Sequence, residues 1–484
     1  MTATRYPRPA AFRTAEALRR HLEASGIDLP LDDGLAPPDA SPLARPIDLP
    51  GGRAGNRFCI LPMEGWDGTP AGEPSELTRR RWRNFGRSGA KLVWGEATAV
   101  RADGRANPRQ LVLTEATKRS FAALRAELVA AHVERFGPRA ADDLVVGLQL
   151  THSGRYSRPW AEDRPEPLAA VAHPWLDRRF PGGVRVLSDA QLDALVDDFV
   201  RAARHARDVG FQFVDIKHCH GYLLHELLAA RARPGPYGGS LENRTRFMRE
   251  VIDGIRRAAP GLALAVRLSV FDSVPFRRGP DGRGIPEAEA DGYDYGFGLL
   301  RDDRPDDALD DALAETRAVL AMLEARGVRL ICTTAGSPYY SPHLQRPAAF
   351  PPIDGYDPPE DPLRGAARQI AATARLKAAF PGLVFVGSAY TYLQDWLPHV
   401  AQRTVAQGLT DLVGLGRMAL AYPDLPADLL EGRPLRRKSI CRTFSDCTTG
   451  PRLGLVSGCY PLDPFYGAHP DGARLRELKA RARA

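Results

Sequence analysis

From Asn56 onward the chain alternates short apolar runs with longer amphipathic stretches. The runs fall at 58–63, 91–96, 144–150, 213–217, 262–268, 330–334, 384–387 and 411–415, eight in all. Each is nearly continuous in Val, Ile, Leu, Phe or Ala, as expected of strands buried on both faces of a parallel sheet. The stretches between them repeat apolar residues at helical spacing. Leu192, Leu195, Val196, Phe199 and Ala202 make one such stripe, with Ser188 placed to cap its start. A second helix is expected to begin at Ser240 and stop at Pro260-Gly261, and a third lies near residues 15–24. Strand–helix alternation implies right-handed crossovers and a parallel sheet. Eight repeats predict a closed (β/α)8 TIM barrel over residues 51–435, with an N-terminal extension (1–50) and a short C-terminal, Cys-containing extension (436–484). An open doubly wound sheet is the alternative, but no G-x-G-x-x-G turn follows the first run.

Two long polar loops interrupt the rhythm. Residues 271–307 are rich in Asp, Arg, Gly and Pro, and 336–364 carry Tyr339, Tyr340, Phe350 and Tyr356 among many prolines. Both follow expected strands, so both belong at the catalytic face, where long loops bind substrate. Composition narrows the class. The net charge of +7 is dispersed arginine among acids, not a concentrated patch, which argues against nucleic acid as a partner. No run of about 18 apolar residues suggests a membrane span, and residues 1–18 lack the apolar core of a secretory signal. Six cysteines in 484 residues do not form a disulfide scaffold. Cys59, Cys219 and Cys332 sit in or beside strands as buried thiols. The expectation is a cytoplasmic protein acting on a small molecule, with a homo-oligomer compatible.

The densest chemistry is in Phe213-Val-Asp-Ile-Lys-His-Cys-His-Gly-Tyr-Leu-Leu-His-Glu, closed by Tyr237-Gly-Gly-Ser-Leu-Glu-Asn-Arg244. Lys217, His220 and Tyr222 follow directly on a strand, the place where barrels build active sites. His218 falls between them and is expected to face away, because alternate strand residues point to opposite sides. His152 and Arg155 follow the third run and either shape the pocket's mouth or hold its loop by hydrogen bonds.

These segments, with Asn56-Arg-Phe-Cys-Ile-Leu-Pro-Met63, Gly95-Glu-Ala-Thr-Ala-Val100, Leu148-Gln-Leu-Thr-His-Ser-Gly-Arg155, Val266-Arg-Leu-Ser269 and Gly414-Leu-Gly-Arg-Met-Ala-Leu-Ala-Tyr-Pro-Asp424, resemble the old yellow enzyme family of FMN-dependent oxidoreductases. Within it they are similar to the barrel of the 2,4-dienoyl-CoA reductase and trimethylamine dehydrogenase branch. The resemblance implies FMN as cofactor. Gln149 would meet the flavin's pyrimidine edge and Arg267 would supply positive charge, while Pro62, Met63 and Ala97 would line the ring. The phosphate would lie on Gly387-Ser388 and Gly416-Arg417, where small residues admit backbone approach and a guanidinium pairs with the anion. It also implies NAD(P)H as reductant and hydride transfer to an activated C=C bond. Lys217 and His220 would hold the substrate oxygen and Tyr222 would deliver the proton.

Three departures from that family pattern matter. Lys217 stands where the family has His. Glu64 stands near the flavin where Thr or Cys is usual, and it is either protonated, paired with Lys217 or turned away. The four-cysteine [4Fe–4S] motif of the branch is reduced to Cys441, Cys447 and Cys459, one thiolate short for an iron–sulfur cluster or a zinc site. A loop of free thiols is the expectation. Glu64 and the cysteine remnant keep open a dehydrogenase that oxidises an amine or alcohol-like molecule and passes electrons to an external acceptor. A third alternative is a barrel that keeps its flavin without catalysis.

Overall fold

The computed structural model describes residues 6–289, 292–301 and 307–481. Its centre is a closed barrel of eight parallel strands: Phe58–Ile60, Leu92–Ala99, Val145–Thr151, Phe213–Ile216, Ala263–Ser269, Leu330–Thr334, Val384–Gly387 and Leu412–Leu415. Each expected run holds one strand. The eighth closes on the first, with Val413 opposite Phe58 and Leu415 opposite Ile60. The first strand ends at Ile60, so residues 61–63 leave the sheet and cross the barrel's mouth. The second slips register between Gly95 and Ala97. Such a bulge re-aims side chains. Glu96 turns outward to Arg81 and the Trp82 indole N–H, at 2.9 and 2.8 Å, and Ala97 faces the mouth.

The barrel's interior is filled at its amino end by Cys59, Trp94, Phe213, Ala265 and Cys332, all buried. A hairpin, Ile47–Leu49 with Gly52–Ala54, plugs that end and adds Leu49 and Ala54 to the same cluster. Gly51 at its turn has φ +90°, and a Cβ there would stand 2.8 Å from the Gln212 carbonyl oxygen, so the turn's conformation and its close approach both call for glycine. Helices ring the outside. Ser188 caps Asp189–Asp208 in a capping box with Gln191, and the expected apolar stripe is buried except for half-buried Val196. The helix expected from Ser240 to Pro260 is instead two, Leu241–Arg244 and Arg246–Ala258. Thr245 Oγ1 donates to the carbonyls of Leu241 and Glu242, at 2.8 and 3.0 Å, and this local bonding competes with the helical ladder. Among the described residues no helix is long and apolar enough to cross a membrane.

The two insertions meet over the strands' carboxyl ends. The first forms a hairpin, Phe276–Arg278 with Gly284–Pro286, and the second a short helix, Pro342–Gln345. They are joined by the Phe276 N–H to the Tyr340 carbonyl at 2.7 Å and by a bridge between Arg283 and Asp357. The C-terminal segment folds back over the same end. Its helix Asp446–Arg452 reaches the mouth, Asp463 takes a bidentate bond from Arg80 at 2.8 and 3.0 Å, and Ser457 Oγ accepts from the Trp66 N–H at 2.8 Å.

Candidate active site

The fourth strand sets the floor. Its alternation turns Asp215 and Lys217 into the barrel, while His218 bonds back to the Ile216 carbonyl at 2.8 Å and takes no part in the pocket wall. Asp215 is fully buried. It accepts from the Trp94 indole N–H (2.9 Å), the Gln149 amide (2.5 Å) and the Arg267 backbone N–H (2.7 Å). Burial, only partly offset by those bonds, raises its pKa to about 6. One carboxylate thus fixes the Gln149 side chain and the Arg267 backbone, the two residues expected at the flavin. The Arg267 guanidinium donates to the Pro62 carbonyl at 3.0 Å, tying the floor to the segment that crosses the mouth, and its Nε is buried without a partner.

Above this floor lies a cavity of about 250 Å³. Pro62, Met63, Glu64, Ala97, Gln149, Lys217, His220, Tyr222, Arg267, Ser388, Gly416 and Arg417 all line it. Gly387 does not; it ends the seventh strand against the Tyr390 ring. His220 has φ +67° and Gly221 φ +73°. A left-handed histidine is strained, and strain of this kind is held in place where a side chain must be aimed. The Ser269 hydroxyl accepts from its backbone N–H at 3.0 Å, and its Nε2 lies 3.1 Å from Thr334 Oγ1 and 3.3 Å from Gln345 Nε2. Burial and the nearby cations Arg267 and Lys217 hold its pKa well below the ordinary value, so the imidazole is neutral. Lys217 Nζ stands 3.8 Å from the centre of the Tyr222 ring, and burial lowers its pKa.

Glu64 turns toward the pocket. It accepts from the Tyr222 hydroxyl (3.3 Å), the Trp66 indole (3.1 Å) and the Gln110 amide (3.3 Å). No ion pair within 4 Å joins it to Lys217. Burial raises its pKa, against the pull of Lys217. The Tyr222 hydroxyl also meets Tyr339 at 3.0 Å, and burial beside Glu64 pushes its pKa well above the usual phenol value.

The far end of the cavity is cationic. Arg417 lends one N–H to the Pro347 carbonyl (2.8 Å) and keeps Nη1 buried and unpartnered. Arg346 donates to Thr448 Oγ1 and keeps Nη2 unpartnered, and Ser388 Oγ is unpartnered too. Burial, with Arg452 and Arg417 nearby, lowers the Arg346 pKa. Buried donors left open in this way call for an acceptor, and beside two guanidinium groups an anion suits best. Three orphaned donors at this end and an orphaned guanidinium Nε on the floor, all lining one cavity, fit a phosphorylated ring, and FMN is such a molecule.

Several residues sit elsewhere than at the mouth. Arg155 is wholly buried, bonded to Glu226 at 2.6 Å, to Asp177 and to the Val171 carbonyl; it is a structural clamp. His152 lies under Gly104, and burial lowers its pKa to about 4. Of the three late cysteines, Cys447 reaches the pocket wall, while Cys441 and Cys459 are buried in the main core. Among the described residues no group of three His, Cys, Asp or Glu is arranged for a metal ion. Tyr339, from the insertion expected at the catalytic face, lines the cavity; sequence reading did not single out Trp66, Gln345, Arg346 and Arg452, which also line it, or Asp215 beneath it. Only Asp215 carried a signal, an acid inside an otherwise apolar run.

Fold and pocket together define a (β/α)8 barrel with a buried, anion-ready site at the carboxyl ends of its strands. Residues 42–279 match the NADH:flavin oxidoreductase / NADH oxidase family. The chain is 34% identical over 187 residues to an NADPH dehydrogenase of Geobacillus sp. (strain WCH70), covering 38% of this chain and 50% of that one. It is 26% identical over 300 residues to 12-oxophytodienoate reductase 2 of Arabidopsis thaliana, covering 60% and 65%. The chain therefore spans between half and two thirds of the length of these relatives. The solved 2-naphthoyl-CoA reductase complex shares the fold, with a TM-score of 0.65 at 20% identity over 88% of this chain and 57% of that one.

Proposed function

We propose that this protein is an FMN-dependent oxidoreductase that takes hydride from NAD(P)H and delivers it to a C=C bond conjugated to a carbonyl. The observation that carries the reading is the convergence of Lys217, His220 and Tyr222 on one cavity, above a floor of Gln149 and Arg267. FMN, when bound, supplies the hydride-carrying ring. Arg417, Arg346 and Ser388 hold its phosphate, and Arg267 supplies positive charge beside its pyrimidine edge. The chain's own residues then act on the substrate. Lys217 and His220 donate to its carbonyl oxygen and draw charge onto it. Tyr222 gives its proton to the carbon opposite the hydride. The printed names of the relatives, an NADPH dehydrogenase and a reductase, support this direction. The same reading places the enzyme in the cytoplasm, where its six unpaired cysteines stay reduced, and allows a homo-oligomer.

Glu64 favours a second reading. Its carboxylate lies 3.3 Å from the Tyr222 hydroxyl, where it can accept a proton as well as return one. With Glu64 taking the substrate's proton, the site would instead oxidise an amine or alcohol-like substrate, whose hydride would pass to the flavin and whose electrons would pass on to an external acceptor. Steady-state turnover separates the two. The reductase reading expects NADPH-driven loss of an enone such as cyclohex-2-enone to exceed donor-driven dye reduction; the opposite ranking overturns it.

A further inference from the structure

The insertions enclose a second cavity that this reading leaves unused. Its volume is about 510 Å³, roughly twice that of the inner one. Trp66, Pro338, Tyr339 and Arg452 border both spaces, so the two share a wall. Tyr339 is the wall's hinge point: its ring stacks on Tyr156 at 3.8 Å and its hydroxyl meets that of Tyr222 at 3.0 Å.

The charge around the outer cavity is lopsided. Five arginines face two acids, a formal excess of three. Both acids are already engaged, Glu287 by Arg179 at 2.5 Å and Asp354 by Arg452 at 2.8 Å. The other three are Arg158 and the neighbouring Arg277 and Arg278 of the hairpin strand, and they have no carboxylate within 4 Å among the described residues. Arg278 is held on the backbone carbonyls of Gly355 and Ile353, and Arg158 on that of Glu162. Like charges on one concave wall repel. Two of these three are fixed there by backbone carbonyls, which orient a guanidinium without neutralising it.

We propose that the outer cavity binds an anionic group, a diphosphate or carboxylate, carried on an arm of a ligand whose reacting part lies in the inner pocket. This rests on the oxidoreductase reading. The arm belongs either to the nicotinamide reductant or to the acceptor, and the experiment separates them.

The test uses FMN-loaded protein and the double variant Arg158→Ala/Arg277→Ala. Neither residue lines the inner pocket, and Arg277 is exposed. Calorimetric titration with inorganic pyrophosphate reads the cavity directly, since bound FMN occupies the inner anion end. The variant is expected to bind pyrophosphate roughly tenfold more weakly, the loss of two partly exposed cations. Arg158→Lys/Arg277→Lys restores most of it. Stopped-flow half-reactions then assign the arm. Slower flavin reduction by NADPH points to the reductant, and slower reoxidation by a carboxylate-tailed enone points to the acceptor. Reoxidation by neutral cyclohex-2-enone stays unchanged. Equal pyrophosphate affinity in the two proteins, unmoved rates in both anionic arms, or an equal fall with the neutral enone overturns the proposal. Failure of the oxidoreductase reading shows differently, as flavin that no nicotinamide reduces, while the pyrophosphate titration still reports on the cavity.

Discussion

Tyr222→Phe removes one oxygen from the centre of the site and leaves nearly everything else. The ring keeps its place against Tyr156 and Tyr339 and beneath the Lys217 ammonium at 3.8 Å. Lost are the hydroxyl's contacts to Tyr339 (3.0 Å) and Glu64 (3.3 Å). Bonds of this kind stabilise by about 1 kcal/mol, so the melting temperature should fall by about 2 °C or less. The chemical effect is far larger, because a positioned general acid contributes between about 100-fold and 10,000-fold. Anaerobic stopped-flow separates the half-reactions. Reoxidation of reduced enzyme by cyclohex-2-enone should slow by that factor, while flavin reduction by NADPH stays within about threefold. Unchanged reoxidation would show that the proton comes from elsewhere. Equal slowing of both halves would show a displaced flavin, and the role assigned to this hydroxyl would fall either way.

The other predictions concern the scaffold of the site. Asp215 has its pKa raised from 3.8 to about 6 in the folded protein, so folding is favoured below the lower value and loses that contribution as pH rises through the upper one. At 1.36 kcal/mol per unit this is about 3 kcal/mol. The melting temperature of apo Asp215→Asn should therefore rise relative to wild type between pH 4 and pH 7, whereas parallel curves would exclude the buried carboxylate as the cause. Arg417→Ala should weaken FMN binding roughly 10- to 100-fold, as loss of a charged hydrogen bond implies; fluorescence titration with unchanged affinity would remove Arg417 from the phosphate site. At Gly414 a Cβ would meet the Gly387 carbonyl at 2.4 Å and a Leu61 methyl at 2.6 Å. With backbone on one side, Gly414→Ala should cost about 3 kcal/mol or more, and a melting temperature equal to wild type would mean the barrel's closing seam is looser than described.

The barrel was legible because parallel strands covered on both faces must be apolar throughout, and eight such runs at regular intervals leave few alternatives. Ser188 and the stripe behind it were legible for the same local reason: cap and period lie on one helix. Thr245 was not, since its hydroxyl donates to the carbonyls of Leu241 and Glu242 and only the folded geometry shows it. Pro62, Ala97, Gln149 and Arg267 were legible through the family resemblance and not through register, since Pro62 lies beyond its strand and Ala97 follows the bulge. Tyr339, Gln345 and Arg346 come from the insertion expected at the catalytic face, but its lack of a period left open which of its residues would close over the cavity, and nothing placed Arg452 of the C-terminal segment there. Arg155 shows the converse error. Its partners Asp177 and Glu226 lie 22 and 71 residues away in sequence, and only with them in place does a loop arginine become a buried clamp.

The central claim is that the cavity above Asp215 holds FMN and that a nicotinamide reduces it. The most direct measurement is the anaerobic UV–visible spectrum of the purified protein, with FMN added back if it is colourless, before and after NADPH or NADH. The account predicts a bound flavin whose visible absorbance bleaches on addition of the reductant. A protein that takes up no FMN, or a bound flavin that neither nicotinamide bleaches, would contradict it.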